Sequence, residues 1–286
     1  MKLLKRGETL AHRVLDDPAV RQILRSTVFK PSLKVQLDRV CEDNQLFGAF
    51  CDGLIRGTHK AAIITGDPGI GKSHQVRAAL KRAGLQENTN FRVMRGMSSP
   101  GGLYACLMAM SAPGQILVID DCDTLLKDET ALNILKGATD RKDPVVRWDS
   151  LRNNLKVRGE AGYTALPDHF RFDGQVIIIT NVGIDGHRKG RMADHFRALK
   201  DRCAMYEISA NSNVERFSRM FVAITQDQLV REWLTDKQEA QLLEFIYRKL
   251  PDVKRLSLRT AEMIAREIRL TPDTWEKMAE RHLQCR

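Results

Sequence analysis

The sequence predicts an α/β fold: a core on a five-stranded parallel sheet, preceded by a helical N-terminal segment and followed by a small all-helical domain. Three observations carry that prediction. Five short apolar runs, Ala61–Thr65, Phe91–Met94, Ile116–Ile119, Val176–Ile179 and Ala204–Ile208, alternate with stretches of helical period, as in a parallel sheet covered on both faces. A glycine-rich turn, Gly66–Ser73, joins the first run to a helical stretch. Before and after this region, apolar residues return at three- and four-residue spacing. The boundaries fall at 1–55 for the N-terminal segment, 56–210 for the core and 211–286 for the C-terminal helices.

Composition sets the limits. The chain has 286 residues, 43% hydrophobic and 29% charged, enough for a sizeable core and unlike a disordered, collagen-like or disulfide-stapled chain. No apolar run approaches the about 20 residues that span a bilayer. The start, Met1 to Arg6, carries charge with no hydrophobic stretch behind it, which does not read as a secretory signal. A cytoplasmic protein without membrane contact is the expectation. Cys41, Cys51, Cys106, Cys122, Cys203 and Cys285 show neither C-x-x-C nor zinc spacing, so they read as thiols in a reducing compartment. The net charge of +10 and pI near 9.4 lean toward a nucleic-acid partner.

Taken in order, the N-terminal segment shows Leu10, Val14, Leu15, Val20, Ile23 and Leu24 at helical spacing. The first strand then enters Gly66-Asp67-Pro68-Gly69-Ile70-Gly71-Lys72-Ser73, a complete G-x-x-x-x-G-K-S, and a helix leaves it with Val76, Leu80 and Ala83 on one face and Gly84 at its end. Glycines let such a loop bend until its N–H groups converge on an anion at a helix N-terminus. Lys72 is then placed for the β- and γ-phosphates and the Ser73 hydroxyl for Mg²⁺. His74, directly after, belongs to the helix more than to the chemistry.

The third apolar run ends in Asp120-Asp121. A strand ending in acids delivers carboxylates to the sheet edge beside the loop, Asp120 for Mg²⁺ through water and Asp121 for orienting or deprotonating the attacking water. Asp123 and Thr124 are the better candidates for capping the following helix. The fourth run ends in Thr180-Asn181, whose amide is suited to hold the lytic water or touch the γ-phosphate. In the C-terminal region Leu242, Leu243, Ile246 and Leu250 form one stripe and Leu258, Ala261, Ala265 and Ile268 another, with Asp236 and Ser257 where N-caps belong.

These motifs together resemble those of the AAA+ ATPases, members of the P-loop NTPase superfamily, over roughly residues 55 to 270, and the run of motifs looks like bacterial and phage members. Gly66–Ser73 matches Walker A, Ile116–Asp121 Walker B, and Asn181 the sensor-1 position. The resemblance implies that Arg202, in Leu199-Lys-Asp-Arg-Cys203, is the arginine finger, with Arg188, Arg191 and Arg197 as competitors, and that Arg259 is the sensor-2 arginine. It also implies ATP as ligand, contacted by residues 66–74 and Arg259 and lying between neighbours in a ring or spiral homo-oligomer, with six subunits the expected number.

Two features depart from the family pattern. The acid pair is Asp120-Asp121 where Asp-Glu is usual, which puts the hydrolysis rate in question. The stretch between Asp120 and Asn181 is long and holds Lys136, Arg141, Lys142, Arg147, Arg152, Lys156 and Arg158. It reads either as an inserted loop or hairpin facing a pore or partner, or as a solvated basic face. The loop Gly96–Gly102 lacks the aromatic step of protein-threading rings, and Ser99-Pro100 instead marks a helix start. The basic insert and Gly186–Arg191 favour a partner that is nucleic acid or a DNA-bound protein, as for a helicase loader, a clamp-loader-like switch or a DNA-remodelling motor. The alternatives are a remodeller of protein assemblies without DNA contact and an ATP-gated scaffold that hydrolyses little. No G-x-S-x-G elbow and no metal-spaced histidine pair is present.

Overall fold

The computed structural model describes residues 29–148, 155–159, 162–181 and 191–283, together with Ile23. The expected helices around Leu10 to Leu15, together with Arg152, Arg188 and Cys285, lie outside the described residues. Chain order runs α1 (Pro31–Ile55), β1 (Ala61–Gly66), α2 (Lys72–Arg82), β2 (Phe91–Arg95), α3 (Pro100–Ala109), β3 (Ile116–Asp120) and α4 (Glu129–Ala138). Four short strands follow, β4 (Val145–Arg147), β5 (Lys156–Gly159), β6 (Gly162–Ala165) and β7 (His169–Arg171). Then come β8 (Gln175–Ile179), α5 (Arg191–Lys200) and β9 (Ala204–Ile208), and the helices α6 (Asn213–Thr225), α7 (Asp236–Lys249), α8 (Leu258–Leu270) and α9 (Trp275–Leu283). Among the described residues, no helix is long and apolar enough to cross a membrane.

The five apolar runs are the five strands of one parallel sheet, in the order β2-β3-β8-β1-β9. Every residue of β3 and β8, and the first five of β1, are buried. This explains why these runs are continuously apolar instead of alternating: a strand covered on both faces has no polar side. Gly84 (φ +78°) ends α2, where the Leu85 N–H reaches back to the Leu80 carbonyl at 3.1 Å. Ser99 caps α3 by accepting the Gly102 N–H at 3.1 Å, with Pro100 in the first turn.

The chain forms two compact units: residues 49–66 with 72–208, and the described residues up to Gly48 with 67–71 and those from Ser209 onward. This division differs from three consecutive stretches, since most of α1 shares a core with the C-terminal helices. Leu33, Leu37 and Val40 of α1 pack with Phe217, Phe221, Leu242, Ile246, Ala261 and Ile264, and the Phe29 ring contacts Phe217, Phe221 and Tyr247. Both stripes expected on the last helices are buried here. In the other unit, Leu103, Tyr104 and Leu107 of α3 and Leu132 and Leu135 of α4 cover one face of the sheet together with Leu117, Ile119, Val176 and Ile178.

Two local expectations are corrected. Thr235, not Asp236, caps α7, because Gln238 reaches back to the Thr235 N–H at 3.0 Å and Asp236 turns to pair with Arg231. Asp123 caps no helix; it accepts the Thr180 hydroxyl at 2.7 Å, and α4 is capped instead by Asp128, which takes the Ala131 N–H at 2.9 Å.

The long stretch before Asn181 contains two antiparallel ribbons, β4 with β7 and β5 with β6. The first is fastened by aromatics: Tyr104 meets Trp148 and Phe170, and its hydroxyl donates to the Pro167 carbonyl at 2.7 Å. Lys136 belongs to α4 and not to the ribbons; it is half-buried, with Nζ 3.0 Å from His195 Nδ1. Burial, then the nearby charge of Arg202, holds its pKa below the ordinary lysine value.

Candidate functional site

Parallel register carries three polar strand ends to one edge of the sheet. Ile64 and Asp120 both sit opposite Ile179, so Gly66, Asp120 and Thr180-Asn181 emerge side by side. Lys72, at the start of α2, is 5% exposed. Its ammonium donates to the Gly66 carbonyl and to Asn181 Oδ1, each at 2.7 Å. The Asn181 Nδ2 in turn donates to Asp121 Oδ1 at 2.7 Å. Lys72, Asn181 and Asp121 thus form one chain of charge-assisted hydrogen bonds.

Asp120 is buried and Asp121 exposed. The Ser73 hydroxyl donates to Asp120 Oδ1 at 2.5 Å, and Arg95 Nε donates to Oδ2 at 3.1 Å. Asp121 has φ +55° and its N–H reaches the Ile179 carbonyl at 3.2 Å. A non-glycine residue held in the left-handed region is strained, and the neighbouring strand fixes it there. The turn at Asp121 sends consecutive carboxylates to different partners, Asp120 to Ser73 and Asp121 to Asn181.

The loop itself has positive φ at Gly66, Gly69 and Gly71, conformations that side chains resist and that amides converging on an anion require. Loop residues 67–71 pack with the C-terminal helices. A Cβ at Gly69 would lie 2.7 Å from the Ser257 Cβ, and one at Gly71 2.9 Å from a Leu258 methyl. The Leu258 N–H donates to the Gly69 carbonyl at 2.9 Å. Asp67 is ion-paired to Arg216 and lies 3.3 Å from Arg255. Pro68 is exposed, Ile70 is buried, and His74 is half-buried on the first turn of α2.

The donor set suits the chemistry expected from the sequence. A hydroxyl and a carboxylate oxygen stand together at Ser73 and Asp120, the hard oxygen ligands that Mg²⁺ takes. Among the described residues no cluster of three or more His, Cys, Asp or Glu is arranged to hold a metal, so Mg²⁺ at this pair would draw its remaining ligands from phosphate and water. A buried lysine inside a loop of positive-φ glycines suits a polyphosphate.

Arg202 lies apart from this edge. Arg202 precedes β9, whose Ala204 pairs with Ala62 near the start of β1, while Gly66 at the other end pairs with Ile208. Arg202 therefore stands at the opposite end of the strands. It donates to the Ala198 carbonyl at 2.7 Å and lines a cavity of about 540 Å³ with His59, Lys60, Arg141 and Arg171, and with Asp140 and Asp173. Arg259 is exposed on the first turn of α8, where Ser257 is the N-cap. Arg197 is exposed and pairs with Asp194 at 3.1 Å.

Three residues joined to the site were not visible in the sequence reading. Arg95 ends β2 opposite Asp120, a pairing that needs the strand order before it can be seen. Arg216 and Arg255 reach Asp67 across 149 and 188 positions, and no local pattern marks them.

No protein-family model matches the chain. The chain is similar to an uncharacterized 36.7 kDa protein in the nrdC-mobD intergenic region of Enterobacteria phage T4, at 28% identity over 254 residues, which cover 87% of this chain and 76% of that protein.

Proposed function

We propose that this chain is a Mg²⁺-dependent ATPase of the AAA+ kind, with a P-loop core and a helical lid, acting as a homo-oligomeric motor or switch in DNA metabolism. The observation that carries the reading is the single hydrogen-bonded chain from Lys72 through Asn181 to Asp121, beside the Ser73–Asp120 pair. It joins the residue types that grip a triphosphate to the one suited to activate water.

In this reading the loop amides and Lys72 hold the polyphosphate. Mg²⁺, held by Ser73 and through water by Asp120, would neutralise charge developing on the β- and γ-oxygens. Asp121 accepts the proton of the attacking water, and Asn181 fixes its carboxylate and the water's approach. Arg202 cannot serve its own chain's loop, because levels 60 and 66 of β1 are about 20 Å apart at ~3.3 Å per residue. An arginine finger at that place acts on a neighbouring subunit, so hydrolysis requires assembly. The DNA setting rests on the net charge of +10 and the basic ribbons.

A second reading, an ATP-gated scaffold, draws on Asp121 itself: it is one methylene shorter than glutamate and is already bonded to Asn181. The test is titration calorimetry with Mg²⁺ and ATP, followed by phosphate release with and without DNA at two salt concentrations. The motor reading expects binding abolished by Lys72→Ala, turnover in the assembled protein and salt-sensitive stimulation by DNA. Binding without turnover under any of these conditions leaves the scaffold. No binding, and Lys72→Ala indistinguishable from the parent, removes both.

A further inference from the structure

Parallel pairing gathers the residues that lead into strands as well as those that leave them. β8, β1 and β9 are neighbours in the sheet, with Ala61 opposite Val176 and Ala62 opposite Ala204. Asp173, Lys60 and Arg202, which lead into these three strands, therefore meet at the sheet end away from the glycine-rich loop. Arg171, the last residue of β7, and the turn Asp140-Arg141 after α4 join them. Together they line the cavity of about 540 Å³, within the ~300–1,000 Å³ typical of small-molecule sites. All of its lining belongs to the unit that holds the sheet.

Besides the His59 imidazole, the lining has four cations, Lys60, Arg141, Arg171 and Arg202, against the two carboxylates of Asp140 and Asp173, an excess of two positive charges. Both carboxylates are already engaged. Asp140 Oδ1 accepts the Asp143 and Lys142 N–H groups at 3.0 and 2.9 Å, which hold its pKa below the usual carboxylate range. Asp173 Oδ1 accepts from Arg171 Nε at 3.1 Å. Lys60 is half-buried, with Nζ donating to the Phe172 carbonyl at 2.5 Å and standing 5.1 Å from the centre of that ring. Burial pulls the Lys60 pKa below the ordinary lysine value; Asp173 opposes that pull and the like charge of Arg171 adds to it. Arg202 gives one N–H to the Ala198 carbonyl, and a guanidinium carries five. A recess lined by one excess sign of charge concentrates ions of the other.

We propose that this cavity is a separate anion site that takes the dianionic phosphate of a phosphomonoester, with Lys60, Arg141, Arg171 and Arg202 as its ligands. An excess of two positive charges matches a group carrying about −1.5 to −2 at neutral pH better than a phosphodiester carrying −1. Arginine forks hold two phosphate oxygens at once, and such charge-assisted bonds are the strong ones. The volume leaves room for the organic part of the ester. Two sources present this chemistry, a free small phosphomonoester and the 5′ end of a nucleic-acid strand. The site goes beyond the nucleotide reading and does not depend on it: its lining comes from the strand-entry end of the sheet, and it stands whether or not Arg202 also serves a neighbour.

The experiment is titration calorimetry of the full chain carrying Lys72→Ala, which takes the loop out of play, with inorganic phosphate and with AMP as probes. The proposal expects saturable binding of both, weakened at least tenfold by Arg171→Gln and tightened severalfold by Asp173→Asn. Lys127→Gln, an equal loss of charge at an exposed lysine beyond the Asp120 end of β3, should change nothing. Should Arg171→Gln fail to fold by its melting curve, Arg141→Gln carries the same test, since Arg141 is exposed. A 5′-phosphorylated oligonucleotide that displaces AMP, where its 5′-hydroxyl twin does not, names a strand end as the source; displacement by neither names the small ester. Binding equally weakened by Lys127→Gln, unchanged by both arginine variants, or displaced equally by the 5′-hydroxyl strand overturns the proposal, as does no binding at all. Phosphate or AMP bound by the parent but not by Lys72→Ala sits on the loop, which overturns this site and leaves the nucleotide reading standing.

Discussion

Lys72 and Asp121 are held at opposite ends of a single amide, that of Asn181, which accepts from the lysine and donates to the carboxylate. Neither contact is made by backbone, so both depend on one side chain. Asn181→Ala should leave ATP affinity within a few-fold of the parent, because the loop and Lys72 remain. Turnover should fall by about 10²-fold, the scale of a lost positioning or acid–base group. Asp121→Asn keeps the hydrogen-bonding shape but cannot take a proton, and phosphate release should disappear. Equilibrium binding and single-turnover phosphate release measured side by side check both outcomes; parental turnover in Asp121→Asn would reassign the base.

The opposite placement of Arg202 makes a prediction about mixtures. Arg202→Ala alone should bind ATP like the parent and hydrolyse it ~10³-fold more slowly, the scale of a missing arginine finger. Lys72→Ala alone should bind no ATP but still present its own Arg202 to a neighbour. Mixing the two inactive variants should therefore restore part of the turnover, each assembly containing some intact loops faced by intact arginines. A titration of one variant into the other, read as phosphate release, checks this. Strict additivity of two dead proteins would mean that Arg202 serves no neighbouring loop.

Much of this was legible from the sequence, for a physical reason. Strands covered on both faces must be continuously apolar, so Ile116–Ile119 and Val176–Ile179 announce themselves. The polar residue that ends each run, Asp120 or Asn181, is then fixed at the sheet edge. Helix capping was only partly legible, since Asp123 and Thr124 offer the same chemistry as Asp128 and only packing decides among them. The Asp67–Arg216 pair was not legible at all. It links residues 149 apart, and an arginine on an amphipathic helix looks the same whether it faces solvent or a loop. Arg95 is an intermediate case: its place beside Asp120 follows at once from the pairing of β2 with β3, but no single sequence specifies that pairing.

Gly69 offers a test of the loop's seating. It combines φ +78° with a would-be Cβ 2.7 Å from the Ser257 Cβ, so Gly69→Ala meets both backbone strain and a clash. The left-handed region alone costs about 1–2 kcal/mol for a residue with a side chain. Because the loop also bonds to the Leu258 N–H, relief requires moving the loop or the start of α8. The expected result is a lowered melting temperature and ATP binding weakened by at least tenfold. Gly84→Ala serves as the control, since it shares a positive φ but has open space around it, and it should lower stability without changing the affinity.

The cysteines give a pH prediction whose sign can be worked out. Burial pushes the thiols of Cys51 and Cys203 up to about 12 and that of Cys122 to about 11, all from an ordinary 9.0. Between pH 9 and these values the unfolded chain has lost protons that the folded chain keeps. The folded state therefore binds more protons in this window, and stability falls as pH rises through it. Below pH 9 both states are protonated and these groups contribute no slope. Denaturant midpoints should thus decline from pH 9 to 11, and replacing Cys51 and Cys203 with alanine should flatten that decline even though it lowers stability overall. At pH 8 the same thiols hold their protons and lie buried, so alkylation should miss the peptides containing Cys51, Cys122 and Cys203 until denaturant is added. Rapid labelling of these peptides in the native protein would mean that the unit around the sheet opens readily, in conflict with a core in which Cys51 and Cys122 are both 2% exposed.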